Sequence, residues 1–263
     1  MKAIVITGST RGIGYGLAQA FLARGCAVCI SGRTQESVDA AVRQLSQEYP
    51  SEQISGQPCD VTQLDQVEAL WAGAANHFGS VDIWINNAGI FQDYVKLWEV
   101  PDEQVHAVFD TNVIGTINGS RTAITHMLRQ GYGAIYNMEG FGSAGRVRAR
   151  MGIYASSKAA IRSFSKSLAV EAAESPVIIG TLSPGMVVTD LLLAPVKDNP
   201  ADLAEVKKIT NILGDRVETI APWFADRILA NDENGAAITW LTRRKIMWRF
   251  LSAPFHKRDL FAS

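Results

Sequence analysis

The chain has 263 residues, of which 47% are apolar and 19% charged, and its formal net charge is −1. That composition suits a large core and excludes a disordered chain, a collagen-like fibre and a disulfide-stapled miniprotein. The small net charge hides an asymmetry: residues 241–263 hold six Lys/Arg and one acid, whereas the preceding 240 residues hold 19 basic and 25 acidic groups.

Residues 2–7 are a short apolar run ending at a glycine, the pattern of a buried parallel strand. Residues 12–23 read as a helix and 27–31 as a second strand. Residues 34–48 read as a helix with Val38, Ala41, Val42 and Leu45 on one side. A third strand is expected at 53–59, a helix at 62–78 with Val67, Leu70 and Trp71 inward, and a fourth strand at 82–86. Residues 102–129 are helical in pattern, 133–138 read as a fifth strand and 153–173 as a long helix. Strands six and seven are expected at 176–182 and 236–241. This alternation implies right-handed βαβ units in a single doubly wound α/β domain of about seven parallel strands, over residues 1–241. Residues 189–230, with prolines at 195, 200 and 222, are long for such a connection. They read either as a helical lid over a substrate or as a fixed helical subdomain.

Cys26 and Cys29 have C-x-x-C spacing, but residues three apart on a strand face opposite sides. With Cys59 they read as buried free thiols of a reducing compartment, not as a redox or metal pair. No apolar run is long enough to span a bilayer, and a glycine motif beginning at Thr7 argues against a signal peptide.

That motif, Thr7, Gly8, Ser9, Thr10, Arg11, Gly12, Ile13 and Gly14, follows the first strand and opens the first helix. Its glycines permit a tight turn and close approach of a pyrophosphate, which the helix N-terminus attracts. The context of strand, glycine turn and helix points to a dinucleotide. An acid ending the second strand would select NAD through the ribose hydroxyls; the chain has Ser31, Gly32 and Arg33 there. Arg33, with Arg11, suits the 2′-phosphate of NADP(H), because a guanidinium binds phosphate bidentately. The alternative is that both are solvated surface residues. Asp60 and Val61 end the third strand, where Asp60 is placed either for an adenine amino group or as a helix cap.

Tyr154 and Lys158 stand four apart on the long helix, so the ammonium lies beside the phenol. A neighbouring cation is expected to lower the tyrosine pKa and make it a proton donor to a carbonyl. Together with residues 7–14, the Asn86, Asn87, Ala88, Gly89 run, Asn112 and Ser183, Pro184, Gly185, this pair resembles the short-chain dehydrogenase/reductase family over most of the chain. The resemblance implies a Rossmann sheet, an NADPH/NADP+ cofactor and chemistry at a carbonyl or alcohol. It implies that Asn86 to Gly89 line the cofactor's centre, that Asn112 holds a relay water, that Lys158 binds the nicotinamide ribose, and that Pro184, Gly185 and Thr189 flank the nicotinamide. It also implies dimers or tetramers built on the helices of 102–129 and 153–173.

Members of that family carry a serine about thirteen residues before the tyrosine; here that position is Phe141. Ser143 is the expected replacement as carbonyl polariser. Glu139 is the alternative, but its carboxylate would repel an oxyanion unless protonated. Residues 137–145, 183–192 and 211–223 are similar to the chlorophyll b reductase branch, which reduces a formyl group to hydroxymethyl with NADPH. A flat tetrapyrrole would suit a pocket near Met186, Leu191, Leu192 and Trp223, unless these four are simply core. The remaining readings are a reductase of another lipophilic ketone or aldehyde, and a non-catalytic cofactor-binding regulator.

The tail of 242–263 intersperses Trp248, Phe250, Phe255 and Phe261 with cations. It reads either as packing against the body with snorkelling cations or as a peripheral contact with an anionic membrane. Nucleic acid is a poor fit to one short basic patch on an acidic body. The expected location is the cytoplasm or a stroma-like organellar compartment.

Overall fold

The strands lie where the apolar runs are. In a computed structural model that describes residues 1–262, β1 (Ala3–Ile6), β2 (Ala27–Gly32), β3 (Ile54–Pro58), β4 (Ile83–Asn86), β5 (Gly133–Met138), β6 (Val177–Ser183) and β7 (Ala237–Thr239) form one sheet. All pairs are parallel and the order is β3-β2-β1-β4-β5-β6-β7. The order reverses between β1 and β4, and at such a switch point the connections diverge to opposite faces and leave a crevice beyond the strand ends.

Side chains alternate across the pleat. Ile4, Ile6, Val28 and Ile30 face a core completed by α1 (Gly12–Leu22) and α2 (Gln35–Leu45). Val5, Cys29 and Trp84 face the other core, with α3 (Leu64–Phe78), which supplies Leu70 and Trp71, and with Met127 and Leu168 from later helices. Cys26 and Cys29 fall in these two different cores, and all three cysteines are buried free thiols.

The helical stretch expected over 102–129 is present and divided by a π turn. α4 (Asp102–Phe109) passes through a π turn at Asp110–Ile114 into α5 (Gly115–Gln130). The wide turn carries Asn112 inward, where its side chain donates to the Ile90 carbonyl and to Ser157 Oγ, both at 3.0 Å. Gly115 follows because a Cβ there would lie 2.5 Å from Val61 Cγ2. α6 (Gly152–Glu171) carries Tyr154 and Lys158 against β5.

Residues 189–230 divide into two parts. α7 (Asp190–Leu193) and α8 (Pro200–Leu213) belong to an excursion closed at its base by Val187 and Asp215, with Val188 N–H to Asp215 O at 3.0 Å and Asp215 N–H to Met186 O at 3.1 Å. α9 (Val217–Leu229) instead packs in the α1 core through Ile220, Ala221, Phe224 and Ile228. Arg24 binds it to α1 through Asp226 at 2.7 Å and the Pro222 carbonyl at 3.0 Å. Of the two readings of 189–230, α9 follows the fixed subdomain, and only the excursion before Asp215, for brevity the lid, stands apart from the α1 core. The tail forms α10 (Arg243–Ser252), capped by Thr242 accepting from Lys245 N–H, and it packs on α8. Among the described residues no helix is long and apolar enough to cross a membrane.

Candidate active site

The crevice begins at the glycine turn. Gly8 (φ +61°) and Gly12 (φ +59°) adopt left-handed backbone that favours glycine. A Cβ on Gly8 would lie 2.9 Å from Ala88 Cα, and one on Gly14 would meet the Gly8 carbonyl at 2.6 Å. Ser9 is fully buried and holds the turn: its Oγ donates to Ile6 O at 2.7 Å and accepts from Ser31 N–H at 2.9 Å. Asn87 Nδ2 donates to the carbonyls of Thr7 and Gly8, and the Thr7 hydroxyl accepts from the N–H groups of Asn87 and Ala88. Ile13 packs on the core. Ser9, Asn87 and Ile13 thus shape the turn, and their side chains are spent on doing so. Asn86 is likewise committed inward, donating to Ser120 Oγ and Asn137 Oδ1.

Beside the turn a cavity of about 380 Å³ is lined by Thr10, Arg11, Arg33, Thr34 and Ser37 with part of α2. Two guanidinium groups and three hydroxyls line it without a carboxylate, a donor set that fits a phosphate ester. Arg11 also reaches the lid, 3.6 Å from Asp190, with both side chains exposed. Asp60 closes a turn ahead of α3 rather than capping it, since the N-cap is Gln63: its Oδ1 accepts from Thr62 N–H at 3.0 Å, and Val61 lies buried under Gly115. Across the crevice Thr189 faces Gly12, Pro184 is buried, and Gly185 (φ +77°) sits over Leu241.

The chemical end is dry. Tyr154 is 8% exposed and Lys158 3%. Lys158 Nζ lies 5.7 Å from the tyrosine ring centroid and donates to the Met138 carbonyl at 3.1 Å. Burial pushes the phenol up to about 12, contrary to the expected lowering, because desolvation disfavours the phenolate. The same burial pulls Lys158 down to about 8, against the opposing attraction of Glu139. Tyr154 is therefore a protonated acid at neutral pH. Asn112 supports its backbone: Ser157 Oγ accepts from Asn112 and donates to the Tyr154 carbonyl at 2.8 Å.

Ser143 does not take the expected place. Its hydroxyl accepts from Gly140 N–H and donates to the Lys158 carbonyl, each at 3.1 Å, so its proton is engaged in tying the loop to α6. The residue against the phenol is Gly140, where a Cβ would lie 2.6 Å from Tyr154 Oη. Glu139 is buried with Arg162 3.6 Å away, and burial raises its pKa.

Residues without a family motif complete the surroundings. Phe91 stacks on Tyr154 with ring centroids 4.6 Å apart, and Gln92 Oε1 accepts from Tyr154 N–H. Phe91 joins Leu192, Leu193, Leu203, Val206 and Tyr94 in an apolar cluster between the lid and this loop. Met186 stands at the lid base and Leu191 is exposed. Trp223 is elsewhere, edge-on to Phe224 and Trp240 in the α9 core, since α9 packs with α1 rather than with the lid. Arg150, in left-handed backbone (φ +65°), bonds Asp202 of α8 at 2.8 Å and stacks on Tyr94. A second pair, Arg148 and Glu205 at 2.8 Å, joins the same loop to α8, and the sequence shows only the residue types of this latch.

Residues 2–199 match the family model described as short chain dehydrogenase. The chain is 35% identical over 260 residues to the probable chlorophyll(ide) b reductase NYC1, chloroplastic, of Arabidopsis thaliana, covering 93% of this chain and 51% of the relative. It is 37% identical over 238 residues to the chlorophyll(ide) b reductase NOL, chloroplastic, of the same plant, covering 89% of this chain and 67% of the relative. The chain thus spans about half the length of the first relative. A gluconate 5-dehydrogenase from Burkholderia cenocepacia J2315, solved with NADP and tartrate, superposes with a TM-score of 0.76 at 26% identity over 91% of this chain and 93% of that one.

Proposed function

The chain belongs to the short-chain dehydrogenase family, and from that premise we propose that it is an NADPH-dependent reductase of a lipophilic carbonyl, the formyl group of a chlorophyll(ide) b. The observation that carries this reading is a buried Tyr154 stacked on Phe91 of an apolar cluster, with Gly140 presenting no side chain at its hydroxyl.

The residues divide the work as follows. The glycine turn and the N-terminus of α1 hold the pyrophosphate, and Arg33 with Arg11 and Thr10 holds the 2′-phosphate. Pro184, Gly185 and Thr189 border the nicotinamide, and Ala88 and Gly89 border the central region. Bound NADPH supplies the hydride. Tyr154 Oη donates the proton that the carbonyl oxygen takes up as it becomes a hydroxyl. Lys158, fixed by the Met138 carbonyl, keeps a positive charge beside that transfer below about pH 8. Asn112 holds Ser157 and Ile90 in register and so positions the tyrosine. Leu192 and Phe91 offer the apolar wall on which a flat ring system would lie, with Met186 and Leu191 at its margin.

The names of the two plant relatives support the substrate and a chloroplast-like compartment. Exposed Ile114 and Leu128 on the π turn and α5, with Val170 on α6, support self-association through those elements. The test follows NADPH absorbance with chlorophyllide b and with a panel of smaller aldehydes and ketones. Turnover of chlorophyllide b is expected; turnover confined to smaller ketones overturns the tetrapyrrole assignment and leaves the reductase. Tyr154→Phe should lose about 10²–10⁴-fold in rate with NADPH binding, read by fluorescence, retained. Full activity in that variant refutes the proposed acid.

A further inference from the structure

α10 is mounted with Lys245 and Arg249 turned inward and its largest apolar side chains outward, beside the exposed Arg243 and Arg244. On the inner face Arg249 is 9% exposed and forms two bonds to the Asp215 carboxylate, at 2.7 and 2.9 Å, and further bonds to the carbonyls of Leu213 and Gly214. Arg258 adds a bond to Asp215 at 2.8 Å, and Lys245 Nζ stacks 3.0 Å from the Trp240 ring centroid. These contacts fix how the helix is rotated about its axis. The outer face then carries Met247 (63% exposed), Trp248 (62%) and Leu251 (68%), followed by Phe255 (83%). Spacings of three and four residues place the helical members together with Arg244. Arg243 is exposed on the same helix, and His256 and Lys257 are exposed beside Phe255.

A surface helix ordinarily turns its apolar stripe to the core. Here the body binds Arg249 and Lys245, and the stripe faces outward. No acid occurs between Glu233 and Asp259, so the face combines large apolar groups with cations alone. The headgroup boundary of an anionic bilayer offers phosphate and hydrocarbon at adjacent depths, and aromatic, aliphatic and arginine side chains on one helix face match that arrangement. We infer that the outer face of α10, with Phe255 and Lys257, docks this chain on an anionic membrane surface.

The anchor also adjoins the lid. Asp215, which receives Arg249 and Arg258 through its carboxylate, closes the lid base through its backbone. Docking therefore holds the lid excursion beside the bilayer, where a lipophilic substrate partitions; this consequence rests on the proposed carbonyl reduction, whereas the docking does not.

Co-sedimentation of the full chain with vesicles of phosphatidylcholine alone and of phosphatidylcholine mixed with phosphatidylglycerol tests it. Binding is expected to the mixed vesicles, weakened by salt. Removing both cations in Arg243→Gln/Arg244→Gln should lower the partition coefficient roughly 25-fold, about fivefold per charge. Leu251→Glu should abolish binding, while NADPH binding and the thermal transition stay unchanged because the side chain is exposed. The inference is overturned if mixed vesicles bind no better than neutral ones, or if Leu251→Glu binds as well as the parent. It is equally overturned if Leu251→Glu converts an oligomer to a monomer in sedimentation velocity, which would assign the face to a second copy. Vesicle binding without chlorophyllide turnover would remove the substrate reading and leave the docking standing.

Discussion

The two ends of the crevice are built by opposite means. At the cofactor end the chain removes side chains: Gly8, Gly12 and Gly14 let backbone approach backbone, and Ser9 and Asn87 hold the resulting turn. At the lid and tail the chain buries charge, with Arg249 and Arg258 converging on Asp215 and Arg150 on Asp202. A glycine demanded by sterics is visible in the residue itself. An ion pair depends on a partner 34 or 52 residues away, and nothing in either residue's neighbourhood names that partner.

The contrast can be broken first at its charged end. Arg249→Ala leaves the buried Asp215 short of its main partner and should destabilise the fold by about 3–5 kcal/mol, read by denaturant unfolding. Cofactor affinity per folded molecule should be unchanged, and a loss below about 1 kcal/mol would mean that the tail is not part of the folded unit. The next effect is at the cofactor end. Arg33→Ala should weaken NADPH by about 1.5–3 kcal/mol, roughly 10–100-fold in Kd, with NADH little affected; equal losses would refute the 2′-phosphate contact. Gly140→Ala asks whether the missing side chain matters at the chemical end too. Its Cβ would crowd the phenol, and an overpacking cost of about 1–3 kcal/mol should appear in kcat with cofactor binding preserved.

The smallest effect is a change of slope with pH. Burial holds Lys158 below the ordinary lysine range, at about 8, so its ammonium is lost at lower pH than that of a free lysine. The rate of carbonyl reduction should therefore fall above about pH 8, and Lys158→Arg should remove that break, because a guanidinium stays charged. The stability consequence has the opposite sign: the unfolded chain binds the proton more tightly, so this residue makes the fold more stable as pH rises from about 8 to 10.5.

Much of the fold was legible because its periodicities are strong. Every expected strand is present; the inner ones are legible because a strand buried on both faces must be a continuous apolar run, whereas the edge strands β3 and β7 are only partly buried. Tyr154 and Lys158 were legible because a helix brings positions four apart together whatever surrounds it. The break at Asp110–Ile114 was not, since an α-helical and a π-helical turn share one apolar pattern and only Asn112's partners choose between them. Ser143 and Trp223 were misplaced for a related reason. Sequence spacing located the serine near the tyrosine, but the loop turns at Gly140 and aims the hydroxyl at the Lys158 carbonyl. Trp223 lies within the long insertion by sequence, while α9 belongs to the α1 core.

By itself the sequence determined the doubly wound sheet, the glycine turn, the Tyr154/Lys158 pair and the existence of a basic aromatic tail, because each depends on local steric and periodic rules. Tertiary structure decided which way the tail faces and what the active-site groups are worth. The same apolar and basic residues would permit a helix with its aromatic side chains buried. The bonds from Arg249 Nη2 to both carboxylate oxygens of Asp215 rotate it the other way. Likewise, burial rather than spacing keeps the Tyr154 proton in place, because desolvation is a property of the assembled interior.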